Sequence, residues 1–221
     1  AVTGSKRERD CFDTGRPDLD IRCSGALPAQ AQALAAALAD RGCAGLLSIG
    51  LAGGLDPALK PGDVVLSSTV ITADGAKALV DEAWRDRVAA DLEATGMRFR
   101  IGTIGGLDEL VRFSETKRAL RSATGALAVD MESHAVMRIA AAAGLPFLAV
   151  RAIADGAADE LPKAAERALA ADGGVALLRL LGALLRRPGD VAGMILLARR
   201  SASGFETLRR IAPLAGLYRP R

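Results

Sequence analysis

The stretch ALAVDMESHAVMRIAAAAGLPFLAVRAIAD, residues 126–155, decides the fold class of this chain. It begins with a short apolar strand pattern, continues with a helical pattern over residues 130–144, and ends in an apolar run typical of a buried strand. A strand, a helix and a second strand joined by short connections predict a sheet covered by helices. The last strand ends at Asp155, a carboxylate with small neighbours.

The same alternation extends outward along the chain. Strand patterns cover residues 44–54, 62–72 and 99–106, and helical patterns cover residues 28–41, 78–96 and 114–125. These patterns predict an α/β fold with a mostly parallel or mixed sheet covered on both faces. No linker or internal repeat interrupts them, so we predict one domain over residues 1–221. Beyond residue 155 the chain reads as helical, with breaks at 172–174, 187–190 and near Gly204, and a helical C-terminal extension from about residue 187.

Composition excludes several classes of function. The chain is 50% hydrophobic and 25% charged, with a formal net charge of +3, and the charges are interspersed along most of its length. This pattern favours ordinary solvated helix faces over an attraction to anionic lipid or acidic substrate, and we predict no nucleic-acid partner. No apolar run reaches the roughly 18 residues that a membrane span needs. One histidine, His134, and three cysteines without zinc-site spacing predict no metal and no cofactor, in a reduced, cytoplasmic setting.

Glycines follow the first of the long strand patterns. The segment SIGLAGG, residues 48–54, contains Gly50, Leu51, Ala52 and Gly53, which we predict to form a turn whose amides can face an anion or a nucleophile. The spacing matches neither common phosphate-binding glycine motif. A tight structural turn is the alternative.

Two further strand ends carry carboxylates. Met131 and Glu132 lie at a junction between strand and helix, where Glu132 either stabilises the helix N-terminus or accepts hydrogen bonds from a sugar diol. Asp155 is a candidate general acid, and the alternatives are a helix N-cap or an ion pair with Arg151. Arg151 itself is predicted to hold a carboxylate in place. Ligands bind at the carboxyl ends of strands in such folds, so these segments are expected to meet there.

Taken together, the segments resemble the nucleoside phosphorylase/nucleosidase superfamily. The similar pieces are VTG at 2–4, SIGLAGGLDPALKPGDVV at 48–65, GTIGGLDELV at 102–111, AVDMES at 128–133 and PFLAVRAIAD at 146–155. They occur in the family's order and span about residues 1–155. The resemblance implies a three-layer α/β sandwich around a twisted mixed sheet, and cleavage of the N-glycosidic bond of a purine nucleoside.

The resemblance also implies roles for individual residues. Asp155 matches the family's aspartate that protonates purine N7. Glu132 matches the glutamate that binds the ribose hydroxyls, and Met131 matches the methionine that lies against the sugar. The backbone around Leu110 matches the segment that covers the base. Glu8 is a looser match to the glutamate that positions water in the nucleosidases, because its spacing from Gly4 differs by one residue.

The chain departs from the family's phosphorylases at the glycine segment. Where those enzymes carry an arginine and a hydroxyl residue for phosphate, this chain has Ser48 and Leu51. A phosphate dianion is usually bound by charge-assisted hydrogen bonds, so the segment favours hydrolysis. Inorganic phosphate stays open as a co-substrate, with Arg22 or Lys6 as substitute ligands.

Within the superfamily, the chain is most similar to the hopanoid-associated phosphorylases. This finer resemblance implies release of adenine from adenosylhopane, a lipid-linked nucleoside, with peripheral contact at the inner membrane face as an option. The alternatives are a methylthioadenosine/S-adenosylhomocysteine-type nucleosidase and a non-catalytic nucleoside-binding protein. The resemblance further implies a homo-oligomer.

Overall fold

The computed structural model describes residues 1–12, 19–161 and 190–220, and these form a mixed sheet flanked by helices. The strands are β1 Val2–Thr3, β2 Arg22–Cys23, β3 Leu46–Gly54, β4 Val64–Thr72, β5 Lys77–Leu79, β6 Phe99–Gly106, β7 Ala128–Asp130 and β8 Phe147–Asp155. The helices are α1 Lys6–Cys11, α2 Pro28–Asp40, α3 Glu82–Ala94, α4 Ser114–Thr124, α5 Ser133–Ala143 and α6 Asp190–Ile211, followed by a 3₁₀ helix, Ala215–Tyr218.

The sheet order among these residues is β2-β1-β3-β7-β6-β4-β5, and β8 pairs with both β3 and β4. β8 runs parallel to β3 along its whole length and antiparallel to the start of β4. Because β8 is covered on both sides by other elements, all nine of its residues are buried. The α/β sandwich and mixed sheet predicted from the sequence are therefore confirmed.

The core is built mainly from aliphatic side chains, as the low aromatic content leads one to expect, together with Trp84 and three phenylalanines. The fully buried members include Leu46, Val64, Val65, Leu66, Ile104, Val136, Leu148, Val150 and Ile153. Helix α2 packs against α5, and α6 packs against β8 and β3. This packing holds the ends of β3, β7 and β8 rigidly with respect to one another.

Three local predictions differ from the structure. Gly50, Leu51, Ala52 and Gly53 are not a turn, because β3 continues to Gly54 and pairs with β8 throughout. Residues 78–79, predicted as the start of a helix, belong to the short strand β5, which is antiparallel to β4.

The third difference is at Gly204, which does not break a helix but lies inside α6. A Cβ at Gly204 would lie 2.6 Å from Leu51 Cδ2 and 3.2 Å from the Ile153 carbonyl oxygen. The glycine thus allows α6 to approach the sheet closely, which residue spacing alone does not reveal. The breaks predicted at 172–174 and 187–189 lie outside the described residues, and the single-domain boundary stays a prediction.

In the described part of the chain, no helix combines the length and apolarity needed to cross a membrane. A search of the same residues finds no cluster of three or more His, Cys, Asp or Glu side chains suited to a metal ion.

Candidate active site

The candidate site lies where β3 changes its neighbours. On one edge of β3, β1 pairs only at Ser48, and β7 joins from Gly53 onward. The intervening backbone has no strand partner on that edge, and the Leu51 N–H donates to Glu8 Oε1 at 2.7 Å. Ligand sites in open α/β sheets occur at such switch points.

Glu8 is held in place by the first turn of α1. Ser5 is the N-cap, and its hydroxyl accepts a hydrogen bond from the Glu8 N–H at 3.2 Å. In return the Ser5 N–H donates to Glu8 Oε2 at 2.5 Å, which completes a capping box. Burial raises the pKa of the Glu8 carboxyl, and the hydrogen bonds from the Leu51 and Ser5 backbone oppose that rise. Glu8 is therefore a preorganised buried carboxyl at the gap in β3.

Glu132, two residues after the end of β7, lies beside Gly4. A Cβ at Gly4 would lie 2.8 Å from Glu132 Oε1 and 3.1 Å from Glu8 Oε2, so both carboxyl groups contact this glycine. Burial, with the nearby charge of Asp130, raises the pKa of Glu132 from 4.5 to about 8, against the opposing charge of Arg151. Two close buried carboxyl groups of this kind can hold or release a proton near neutral pH.

The corner between β7 and α5 is fixed by a buried polar network. The Asp130 carboxylate accepts hydrogen bonds from the backbone N–H groups of Glu132, at 3.0 Å, and Ser133, at 2.8 Å. Arg151 contacts Asp130 directly and donates to the hydroxyl oxygens of Ser48, at 2.6 Å, and Ser133, at 3.0 Å. Arg151 thus holds a carboxylate in place, as the sequence predicts, and that carboxylate belongs to Asp130.

Asp155 is the last residue of β8 and opens onto a cavity at the same end of the sheet. The cavity is lined by Gly53, Glu109, Leu110, Val111, Val129, Asp130, Met131, Asp155 and Leu161. Asp155, Met131 and Leu110 therefore come together around one space, as expected from the resemblance. Gly53, which lines this cavity, lies in β3 two residues after Leu51, the residue that Glu8 contacts. His134 lies outside it and contacts Asp108 at 3.0 Å through Nε2.

The partner of Asp155 is Lys117, a residue that the sequence analysis did not single out. The Lys117 ammonium contacts Asp155 Oδ2 and also donates to the carbonyl oxygens of Gly156, at 2.8 Å, and Asp159, at 3.0 Å. Its side chain is fully buried. The sequence does contain a pattern that indicates this role, because Lys117 is three residues from Leu120 and so lies on the same face of the helix. A lysine on the sheet-facing side of a helix needs a buried partner.

Two opposing effects act on the pKa of the Asp155 carboxyl. Burial raises the pKa of the Asp155 carboxyl, and the charge and hydrogen bond of Lys117 oppose that rise. The carboxyl is therefore buried but not isolated, which suits a group that exchanges a proton with a ligand.

Comparisons with known proteins agree with this geometry. Residues 21–186 match the model of the phosphorylase superfamily. The 5′-methylthioadenosine/S-adenosylhomocysteine nucleosidase of Mycobacterium tuberculosis is 29% identical over 187 residues, covering 65% of this chain and 73% of that protein. The Marinomonas enzyme of the same name is 32% identical over 142 residues, covering 56% of this chain and 62% of its own length.

Solved structures extend the similarity of fold to almost the whole chain. Native futalosine hydrolase of Helicobacter pylori aligns with a TM-score of 0.70 at 15% identity, covering 95% of this chain and 94% of that one. A Neisseria meningitidis 5′-methylthioadenosine/S-adenosylhomocysteine nucleosidase in complex with methylthio-immucillin-A aligns with a TM-score of 0.69 at 18% identity, covering 95% and 96%. The protein described here is a glycosyl-bond-cleaving enzyme and belongs to the phosphorylase superfamily.

Proposed function

We propose that the enzyme hydrolyses the N-glycosidic bond of a 5′-substituted adenosine, of the 5′-methylthioadenosine or S-adenosylhomocysteine type, and releases adenine. The observation that carries this proposal is the position of Glu8, whose carboxyl occupies the gap in β3 and accepts the Leu51 N–H at 2.7 Å. A phosphate dianion at that gap would meet the carboxyl oxygens of Glu8, which would lie 2.8 and 3.4 Å from a Cβ at Gly50. Acceptor oxygens suit water, which donates hydrogen bonds, better than a dianion.

The proposed reaction uses one carboxyl group on each side of the bond that breaks. Asp155 gives its proton to N7 of the adenine, and the electron pair of the C1′–N9 bond moves onto the base. Glu8 accepts a proton from the water that attacks the cationic C1′. Glu132 binds the ribose hydroxyls, Met131 lies against the sugar, and the backbone near Leu110 covers the base. Proton donation of this kind contributes on the order of 10²–10⁴-fold to the rate.

The relatives support a substrate of the 5′-methylthioadenosine or S-adenosylhomocysteine type better than adenosylhopane. The two described above are both named methylthioadenosine/S-adenosylhomocysteine nucleosidases. The adenosylhopane specificity, the lipid link and the membrane contact expected from the finer resemblance gain no support from them. The homo-oligomer stays a prediction.

The test is adenine release from 5′-methylthioadenosine, S-adenosylhomocysteine, adenosine and adenosylhopane, each with and without inorganic phosphate. We expect release from the first two, independent of phosphate, with an unphosphorylated sugar as the second product. Phosphate-dependent release of a sugar 1-phosphate would instead make the enzyme a phosphorylase. Release from adenosylhopane alone would restore the lipid-linked substrate, and no release from any compound would indicate a binding protein.

Two variants test the assigned roles. Asp155→Asn cannot donate the proton, so we expect kcat to fall by roughly 10²–10⁴-fold while the protein stays folded. Glu8→Gln removes the acceptor for the proton of water and is expected to lower kcat with less effect on substrate binding. Glu93→Gln, an exposed change on α3, is the matched control and should leave kcat unchanged.

A further inference from the structure

Helix α4 buries an unexpected side chain. Its sequence is SETKRALRSAT, and its one buried residue is Lys117, whereas Leu120 is only partly buried. An amphipathic helix normally packs its longest apolar residues against the sheet. The position with the deepest contact is instead a lysine, and a buried charge is unfavourable unless it is paired and hydrogen-bonded.

The contacts of Lys117 fit an ammonium group. Its nitrogen has three acceptors, namely Asp155 Oδ2 and the carbonyl oxygens of Gly156 and Asp159. A neutral amine has only two N–H donors, whereas an ammonium has three. The three acceptors match the three N–H donors of an ammonium group, so each donor has a partner.

We propose that Lys117 is a positioning residue for Asp155. Its ammonium holds Oδ2, leaves Oδ1 for the base, and stabilises the carboxylate that forms when Asp155 gives up its proton. The inference rests on the proposed function, because it concerns the carboxyl assigned there as the acid.

The charge balance of the step explains why a cation is useful here. Before the step, Asp155 is neutral and Lys117 is a buried ammonium with two carbonyl acceptors. When the proton moves to N7 and the C1′–N9 electron pair moves to the base, Asp155 becomes an anion in direct contact with that ammonium. A fixed charge aimed at the place where the opposite charge develops lowers the barrier without any rearrangement. Lys117 keeps its own three protons throughout.

Other charged groups around Asp155 act less directly. Asp159 raises the pKa of the Asp155 carboxyl and Arg200 of α6 lowers it, but these two bind each other, with Arg200 Nη1 at 2.7 Å from Asp159 Oδ1. Glu109 and Asp130 line the same cavity. Burial is the largest effect on the pKa of Asp155 and Lys117 is the main opposing one.

The first experiment measures kcat for adenine release from 5′-methylthioadenosine as a function of pH. If Asp155 is the acid, kcat falls at high pH as that carboxyl ionises. In Lys117→Gln and Lys117→Met we expect this fall to move to higher pH by about one pH unit or more, because the opposite charge is gone. Lys117→Arg keeps the charge and should return the fall toward its original position.

The matched control is Arg118→Gln. Arg118 is the next residue of α4 and is exposed. Its replacement by glutamine removes the same charge from the helix at a position that does not contact Asp155. Its pH profile should equal that of the unmodified enzyme. A folded Lys117→Gln enzyme with an unmoved profile would overturn the proposal, since a merely structural lysine would lower activity without changing where kcat falls.

The second experiment does not depend on activity or on a folded Lys117 variant. In the isotopically labelled enzyme, the side-chain ¹⁵N signal of Lys117 should change at the same pH as the carboxyl ¹³C signal of Asp155, which Asp155→Asn identifies. Independent titration of the two signals would overturn the inference even if every Lys117 variant unfolds. Absence of adenine release from the unmodified enzyme would instead overturn the proposed function, and the two signals would still test the pair.

Discussion

At the scale of single residues, the site depends on two carboxyl groups that share one glycine. Glu8 and Glu132 belong to segments far apart in sequence, and both lie within contact distance of where a Gly4 Cβ would be. Burial raises the pKa of both carboxyl groups, and the charges of Asp130 and Glu8 raise the pKa of Glu132 further, so both groups bind protons more tightly than solvent-exposed glutamates do. Any larger residue at position 4 would separate them.

This raised proton affinity predicts a pH-dependent stability. The pKa of Glu132 is about 8 in the folded protein and 4.5 ordinarily. The folded state therefore binds more protons than the unfolded state between these values, and stability is lost as pH rises from 4.5 to 8. Glu132→Gln is always neutral, so we expect it to be more stable than the unmodified protein at pH 8, with the difference shrinking toward pH 5.

Urea unfolding of both proteins at the two pH values measures this effect. Glu93→Gln, on the exposed face of α3, is the control and should show no pH-dependent difference. A constant difference between Glu132→Gln and the unmodified protein at both pH values would mean that Glu132 is not the group that binds the extra proton.

At the scale of elements, β3 creates the site by changing partners along one edge. The pairing with β1 stops at Ser48 and the pairing with β7 starts at Gly53. Between them, the Leu51 N–H is satisfied by the side chain of Glu8 instead of a strand. Buried amides need an acceptor, so the gap in the sheet and the carboxyl that fills it are one structural feature.

Gly50 permits the close approach of Glu8 to β3, and its replacement tests that feature. A Cβ at Gly50 would lie 2.8 Å from Glu8 Oε1 and 3.0 Å from its Cδ, so Gly50→Ala must displace the carboxyl. We expect kcat to fall about 100-fold, the usual effect of misplacing a catalytic group by about 1 Å. Thermal unfolding and kcat for 5′-methylthioadenosine are the measurements.

Gly105→Ala is the matched control for this change. It is also in a strand, but the nearest atoms to its added Cβ are 3.8 Å away, an ordinary van der Waals distance. It should keep nearly full activity. If Gly50→Ala also kept its activity, the close contact between Glu8 and β3 would have no part in the reaction.

At the scale of the whole molecule, the C-terminal segment, which contains the 3₁₀ helix Ala215–Tyr218, packs against α3. The indole N–H of Trp84 donates to the carbonyl oxygens of Gly216, at 3.0 Å, and Leu217, at 3.2 Å. Leu217 itself is 1% exposed and belongs to the main hydrophobic core. The last described residues are thus packed with the same core as the strands that form the site.

This packing predicts a large effect of a C-terminal substitution on global stability. Leu217→Ala removes a buried side chain and should lower the free energy of unfolding by about 2–5 kcal/mol. Leu79→Ala, at a position that is 79% exposed, should change it by less than about 0.5 kcal/mol. Urea unfolding followed by the fluorescence of Trp84, the single tryptophan, measures both.

The same experiment tests the prediction of a single domain. Unfolding curves from Trp84 fluorescence and from circular dichroism should coincide if the C-terminal segment and the sheet unfold together. Two separate transitions would divide the chain into independent units and contradict that prediction.

Features that depend on neighbouring residues could be predicted from the sequence. Hydrophobic periodicity placed the strand that ends at Asp155 and the helix that follows Glu132, because local spacing controls which side chains share a face. The sequence also predicted that Arg151 holds a carboxylate in place. The partners of these side chains follow from the three-dimensional fold, because spacing in the sequence does not fix the distance between segments. The fold pairs Arg151 with Asp130, brings Lys117 to Asp155, and brings Glu8 to Leu51, where one edge of β3 has no neighbouring strand.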